Sequence, residues 1–499
     1  MNCLIGVDIG TQGTKAALFD ETGRCLAQAF EASRLLHPEP DVVEEDPEAQ
    51  YGSVCATVKR CIEEAGVPAG RVAGIAIDGQ MAGVIGVGRD GSCVTPYDSW
   101  LDTRCSPYIK RMNERAGDEV LKKTGCAPSI NHGPKILWWK GRRKDVYKEI
   151  AAFVQPGGYA AMRLCGLRGD QAFIDATYLH FSGFADNKRA DWDADLCKEF
   201  GVSQRKLPRI VPPEQVVGQV TGEAAAQSGL QAGTPVVAGC GDTSASFLAA
   251  GATRAGVLVD VAGTASVFAA TSGAFRPDVK ARVLGCGRSA VPDLWHPYAY
   301  INGGGMNLEW FRREFGAGGA DGSADLDALS EAAAKLPWRD DDPLSVPHWG
   351  GRVCPPEPDL RGAWAGLTWS HGSAHLYRAV LEGVALEYAI YLRALRGVDR
   401  AFRPTELRAT GGGARSAFWR GIKADALQIP VREVSRDEGA PLGCALLAGF
   451  GVGLFPSLAA AAEQWIQAGE ARRPVAELGK YFEKRLARYE SLMAKLASL

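Results

Sequence analysis

The chain has no Cys-x-x-Cys pair, no Walker A loop (GxxxxGK[ST]) and almost no net charge, and each absence closes off a class of function. Lys plus Arg is 56 against 58 Asp plus Glu, a formal net charge of −2. A nucleic-acid binder normally carries a basic surplus, so no nucleic-acid partner is expected. Thirteen cysteines run from Cys3 to Cys444, an odd number whose closest pair is Cys55 and Cys61. That is neither a disulfide framework nor a zinc ligand set, and reduced thiols are expected. The apolar start MNCLIGV has no basic flank and meets Asp8 at once, so no secretory leader is expected and the cytoplasm is the expected compartment. One stretch, Ala440 to Ala462, lacks charge over a length that could span a bilayer. Pro441, Pro456 and Gly443, Gly449, Gly451 and Gly453 interrupt it, so it is read as a buried helix ending near Gly451, a turn and a second helix, with no membrane partner.

What is present is room for two to four domains in 499 residues, and 60 glycines without a period. The N-terminus alternates apolar runs and turns: CLIGVDI (3–9), GTQGT (10–14), KAALFD (15–20), ETGR (21–24) and CLAQAFEAS (25–33), read as β-hairpins. Asp46-Pro47 reads as an N-cap followed by the first helical residue. VAGIAID (72–78) is a buried strand, and GVIGVGRDGSCV (83–94) a hairpin turning at Arg89-Asp90-Gly91. Its Gly86-x-Gly88-x-x-Gly91 spacing fits a dinucleotide loop, but no helix follows, so the turn reading stands. Further on, 236–251 reads as strand, glycine turn, helix, and 256–273 as strand, turn, strand. Gly10-Thr11 and Gly263-Thr264 close similar hairpins 253 residues apart, which suggests two duplicated lobes.

Four constellations carry chemistry. In Asp8-Ile9-Gly10-Thr11-Gln12-Gly13-Thr14-Lys15, a glycine turn with hydroxyls and a cation suits phosphate oxygens, and Asp8 at the end of a buried strand suits a metal ion or a set of turn amides. Asp242, between Gly241 and a small-residue helix, is either a helix cap or a base set at the helix start. Gly411-Gly412-Gly413-Ala414 precedes the helix 416–429 and leaves room for a flat ligand against bare backbone, or is an ordinary strand–helix loop. The long helix 371–395 begins with His371 and His375 at i, i+4, but no third zinc ligand accompanies them.

In order and spacing these pieces resemble the FGGY carbohydrate kinases, over about residues 3–485. The match is most specific at Gly362-x-Trp364-x-Gly366-Leu367, seven residues, then His375-Leu376-x-x-Ala379-Val380-Leu381-Glu382. PKILWWK (134–140) keeps Lys135 and Trp138 of an upstream family signature, while His132 and Trp139 depart from it. The resemblance implies an α/β fold of two RNase H-like lobes, as in actin, hexokinase and Hsp70, with a central cleft. It divides the chain into an N-terminal lobe, 1–246, and a C-terminal lobe, 247–499. It implies that Asp8 and Thr11–Lys15 form a first phosphate loop with its Mg²⁺ environment. Gly263-Thr264 would be the second such loop, Gly411–Ala414 would hold the adenosine of ATP, and Asp242 would be the catalytic base beside the Mg²⁺ that Asp8 shares.

Gly79-Gln80-Met81-Ala82-Gly83 and Trp100-x-Asp102-x-Arg104 resemble the sugar-contact segments of the xylulokinase branch, which makes Gln80, Met81, Asp102, Arg104 and Asp242 candidate substrate contacts. Ala82 stands where that branch places a His. The implied activity is ATP-dependent phosphorylation of a ketopentose hydroxyl, D-xylulose first. Ribulose, glycerol and erythritol kinases are alternatives, as are an actin- or Hsp70-type ATPase and a sugar-sensing pseudokinase. A homodimer is the expected assembly.

Overall fold

A computed structural model describes residues 2–315, 326–436 and 438–498. Twelve strands and nine helices position the site. In chain order they are β1 (Cys3–Gly10), β2 (Gly13–Asp20), β3 (Cys25–Ala32), α1 (Pro47–Ala65), β4 (Val72–Gly79), α2 (Pro156–Cys165), β5 (Val216–Gln219), β6 (Pro235–Val237), α3 (Asp242–Ala249), β7 (Val257–Ala262), β8 (Ser266–Ala270), β9 (Gly285–Arg288), β10 (Trp295–Ile301), α4 (Gly305–Phe315), α5 (Ser373–Val398), β11 (Glu406–Thr410), α6 (Ala417–Leu427), β12 (Val431–Glu433), α7 (Ala440–Gly451), α8 (Leu458–Trp465) and α9 (Ala476–Leu496).

The strands form two six-stranded sheets, ordered β5-β6-β4-β1-β2-β3 and β9-β10-β8-β7-β11-β12. In each, an antiparallel three-stranded meander is extended on its first strand by two parallel strands: β3-β2-β1-β4-β6 and β10-β8-β7-β11-β12. This is one topology used twice. The 253-residue offset between the two Gly-Thr turns marks the equivalent corner of each copy, between the first and second strands.

Parallel strands are covered on both faces, so β1 reads as an almost unbroken apolar run rather than an alternating one. On one face Val54, Val58, Cys61 and Ile62 of α1 complete a core with Ile5, Val7 and Ile75. Asp46 caps α1, accepting from the Glu48 N–H at 2.9 Å. On the other face lies α7, whose Leu442, Ala445 and Ala448 pack with Leu4, Ala17 and Ala76. The uncharged segment 440–462 is thus two helices, α7 and α8, separated by a turn, and no helix among the described residues is long and apolar enough to cross a membrane. Glycine permits this contact: a Cβ on Gly6 would stand 1.8 Å from the Pro441 carbonyl oxygen.

In the C-terminal half the 26-residue α5 is the core's spine, with Tyr377, Val380, Leu381, Val384 and Tyr388 buried against the second sheet. The family-signature residue Glu382 is buried between Arg378 (3.4 Å) and Arg485 (2.6 Å), and Arg378 also holds Asp342 at 2.5 Å. All thirteen cysteines are free.

Candidate active site

The site lies where β1, β4 and β6 of the first sheet end. Asp8, the third residue from the end of β1, is register-paired with Lys15 on β2 and with Asp78 on β4. Asp8 and Asp78 thus lie opposite each other on neighbouring strands, and Asp78 Oδ2 accepts from the Cys444 thiol at 3.0 Å. Burial raises both carboxyls above the usual range. Asp78 is raised the further, because the Asp8 charge adds to its burial. Lys15 works against the rise at Asp8.

Asp242 comes from the third strand-end. After β6 the chain turns through Cys240 and Gly241, and Gly241 bridges to Gly79 at the end of β4. The turn is fixed by Thr177 Oγ1, which accepts from the Gly241 N–H at 2.9 Å, and by the Tyr178 hydroxyl, which reaches the Gly79 and Cys240 carbonyls. Gly241 is the N-cap of α3 and Asp242 is its first residue, so the cap reading of Asp242 is replaced. The carboxylate instead accepts from Thr243, N–H at 2.5 Å and Oγ1 at 3.0 Å. Burial, then the nearby Asp8 charge, push its pKa up to about 7.

The rest of the first loop divides. Thr11 and Gln12 form the β1–β2 turn, with Gln12 exposed and Thr11 Oγ1 accepting from Trp100 Nε1 at 2.8 Å. Gly13 and Thr14 are buried, and the Thr14 hydroxyl is committed to Ser53 Oγ at 2.6 Å. The Thr14 side chain thus holds α1 against β2, and only its backbone remains for a ligand.

In the second sheet the Gly263-Thr264 turn meets the N-terminus of α4, where the Gly305 and Met306 N–H groups donate to the Gly263 and Thr264 carbonyls. Gly411, at φ 85°, lies against the same turn: a Cβ there would stand 2.8 Å from the Ala262 oxygen. Gly413 packs on Trp419, whose ring a Cβ would meet at 2.5 Å, while Gly412 faces open space. Gly263, Thr264, Gly412 and Gly413 are thereby brought together as one ledge of largely bare backbone, a fit for a flat ring and phosphates, while Ala414 is buried in the core beneath it. Behind it, wholly buried Asp260 is paired with Lys423 Nζ and accepts from the Tyr388 hydroxyl at 2.6 Å.

Of the candidate sugar contacts, Met81 packs against Gly241, the residue before Asp242, its side chain filling the space a Cβ there would need. The Met81 carbonyl accepts from His132 Nε2–H at 2.5 Å. Burial pulls His132 down to about 4, so the ring is neutral. Gln80 donates to Glu45 at 2.7 Å and keeps Oε1 unpartnered. Asp102 and Arg104 are spent on each other and on their neighbours. Asp102 accepts from Arg104 Nε and from the Val43 N–H, both at 2.8 Å, and Arg104 also holds Glu44 at 2.6 Å. Asp102 is fully buried, so it fastens the 41–44 segment rather than offering an oxygen to a ligand. Asp78, Cys444 and Lys423 were missed by sequence reading. The signal for Asp78 was present, since a strand ending in Asp next to one carrying Asp8 must bring two carboxyls together, but only the pairing of β1 with β4 reveals it.

Two matched lobes of this topology, three carboxyls at the strand ends of one and a glycine ledge in the other, define a phosphotransferase of the actin/hexokinase type. Residues 3–249 match the N-terminal domain and residues 258–452 the C-terminal domain of the FGGY family of carbohydrate kinases. The chain belongs to this family of ATP-dependent phosphotransferases. It is 27% identical to a xylulose kinase of Bacillus subtilis over 96% of this chain and 94% of that one. It is 29% identical to a gluconokinase of the same organism over 92% and 90%. A xylulose kinase structure from Rhodospirillum rubrum superposes with a TM-score of 0.90 at 28% identity, covering 99% of both chains.

Proposed function

We propose that the chain transfers the γ-phosphoryl group of ATP to a hydroxyl of a ketopentose, D-xylulose first, with Asp242 as general base. The observation that carries this is the position of Asp242 at the start of α3, beside Asp8, with a pKa pushed up to about 7. A base so placed takes the proton of the acceptor hydroxyl as its oxygen attacks the γ-phosphorus and the bond to the β-phosphate oxygen breaks, releasing ADP. The Thr11–Gly13 backbone and Lys15 would meet the phosphates from one lobe and Gly263-Thr264 from the other. Gly412 and Gly413 would take the adenosine. Gln80 and Met81 would face the sugar, and Arg104 with Asp102 would support them.

Mg²⁺ fits this site. Asp8 Oδ1 is buried without a hydrogen-bond partner, an oxygen suited to a cation or its water. Among the described residues no group of three or more His, Cys, Asp or Glu forms a ready cage. That suits a cation held by one or two carboxylates and by substrate phosphates, and Asp8 and Asp242 are those carboxylates. When bound, the ion would neutralise charge on the transferring phosphoryl group.

The acceptor rests on similarity to relatives named xylulose kinase, and Ala82 removes one imidazole from the sugar-contact segment. A coupled ADP assay across ketopentoses, polyols and glycerol tests it. Sugar-dependent ADP release with xylulose as best substrate supports the reading, and equal release with and without every sugar overturns it.

A further inference from the structure

Beside Asp242 is a cavity of about 40 Å³ that no candidate residue except Met81 lines. Met81, Thr243, Ser244, His180, Arg288 and His296 are among the residues that line it. Thr243 and Ser244 directly follow the base, so the cavity continues from the point of phosphoryl transfer along α3.

Its chemistry is one-sided. Among the described residues no carboxylate lines it, and none lies within ion-pair distance of Arg288. The Arg288 head is fixed: Nη2 donates to the Asn187 and Lys188 carbonyls at 2.6 and 3.1 Å, and the guanidinium lies over the Trp295 ring at 4.4 Å. So held, its Nε–H is buried and has no acceptor. His180 is 3% exposed, packed edge-on to Tyr298, and its Nδ1 also has no partner. Gly287 leaves that edge of the ring open, since a Cβ there would stand 3.1 Å from Nδ1. His296 is already used, donating through Nδ1–H to the Ala270 carbonyl at 3.2 Å. Two buried polar atoms are therefore left unmatched on residues that line one cavity next to the base. Such groups cost about 1–3 kcal/mol each unless something pairs with them.

Building on the sugar-kinase reading, we infer that the end of the substrate remote from the reacting hydroxyl enters this cavity and that Arg288 and His180 read an α-hydroxy carbonyl group there. Arg288 Nε–H can only donate, which demands an acceptor: a ketone carbonyl or a carboxylate oxygen. The neutral imidazole pairs with a hydroxyl in either tautomer, because a hydroxyl both donates and accepts. A ketose and an aldonate both carry this pair of groups, and the corresponding alditol lacks the carbonyl. A site built to bond a polar group rejects the analogue without it, since its own groups are then left unpaired.

The test is ADP release by the full chain with D-xylulose against xylitol and with D-gluconate against D-glucitol. The inference expects a carbonyl-bearing substrate to exceed its alditol in kcat/KM by more than about tenfold. Which of the two does so separates a ketone from a carboxylate. Arg288→Lys and His180→Leu should each raise KM for that substrate about 10–100-fold and erase the preference, with KM for ATP unmoved. His180→Gln should restore part of the loss. Gly287→Ala, which displaces the His180 ring without removing a polar group, should act in the same direction. Alditols that serve equally well, or variants that leave the preference intact or move both KM values together, overturn the inference while leaving the kinase reading standing. Absence of ADP release from the wild type with every ketose, aldonate and alditol tried overturns both.

Discussion

Asp8 and Asp78 occupy partnered positions on adjacent parallel strands, and burial raises both carboxyls above the usual range. Asp78 also takes the thiol hydrogen of Cys444 from α7, so the pair links the strand ends to the helix beneath the sheet. Asp78→Asn keeps a polar group opposite Asp8 and should lower turnover by less than about tenfold. Asp78→Leu leaves the buried Asp8 opposite an apolar side chain and should cost about 1–3 kcal/mol of stability. Urea titration of both variants beside their turnover checks this. Equal stability loss in both would deny that polar neighbour its part.

Lys423 and Asp260 are 1% and 0% exposed and pair beneath the glycine ledge. Removing one partner strands the other charge. Lys423→Met should therefore destabilise the protein by about 3–5 kcal/mol, while Lys423→Met with Asp260→Leu should recover most of it. Chemical denaturation of the single and double variants measures the difference. A double variant no more stable than the single one would contradict the pairing.

His296 is neutral, since burial pulls its pKa down to about 4 from 6.5. A histidine with a depressed folded-state pKa stabilises fully above the unfolded value and loses that stability as pH falls below about 6.5, the unfolded chain taking up the proton first. Buried carboxyls with raised values, such as Asp98 and Asp175 at about 7, pull the other way, so the wild-type curve alone is not diagnostic. The difference from His296→Asn is, because Asn can still donate to the Ala270 carbonyl. From pH 8 to pH 5 the wild type should lose about 2 kcal/mol more than the variant. Parallel curves would show that the imidazole is not buried as a neutral group.

Much of the architecture was legible in the sequence. The Asp46-Pro47 start of α1, the strand–turn–helix over 236–251 whose helix begins at Asp242, and the two helices within 440–462 follow from caps, glycines and prolines. These are local signals. The repeat of Gly-Thr turns exposed the duplication because a hairpin corner is local too. What stayed hidden depends on long-range packing. The family signature around His375–Glu382 gave the family, but not that Glu382 is a buried strut between two arginines. Thr14 and Asp102 carry the residue types of a binding site, but the fold turns one toward Ser53 and the other toward Val43 and Arg104. Conversely, nothing near His180 or Arg288 in sequence marks them, because they meet beside Asp242 only when β9 closes on the 176–188 segment.

The most direct test of the account is Asp242→Asn, with sugar-dependent ADP release and ATP affinity measured on the same preparation. A general base of this kind should cost about 10²–10⁴-fold in turnover, with ATP bound as tightly as by the wild type. Turnover at the wild-type rate would contradict the assignment of Asp242 as the base.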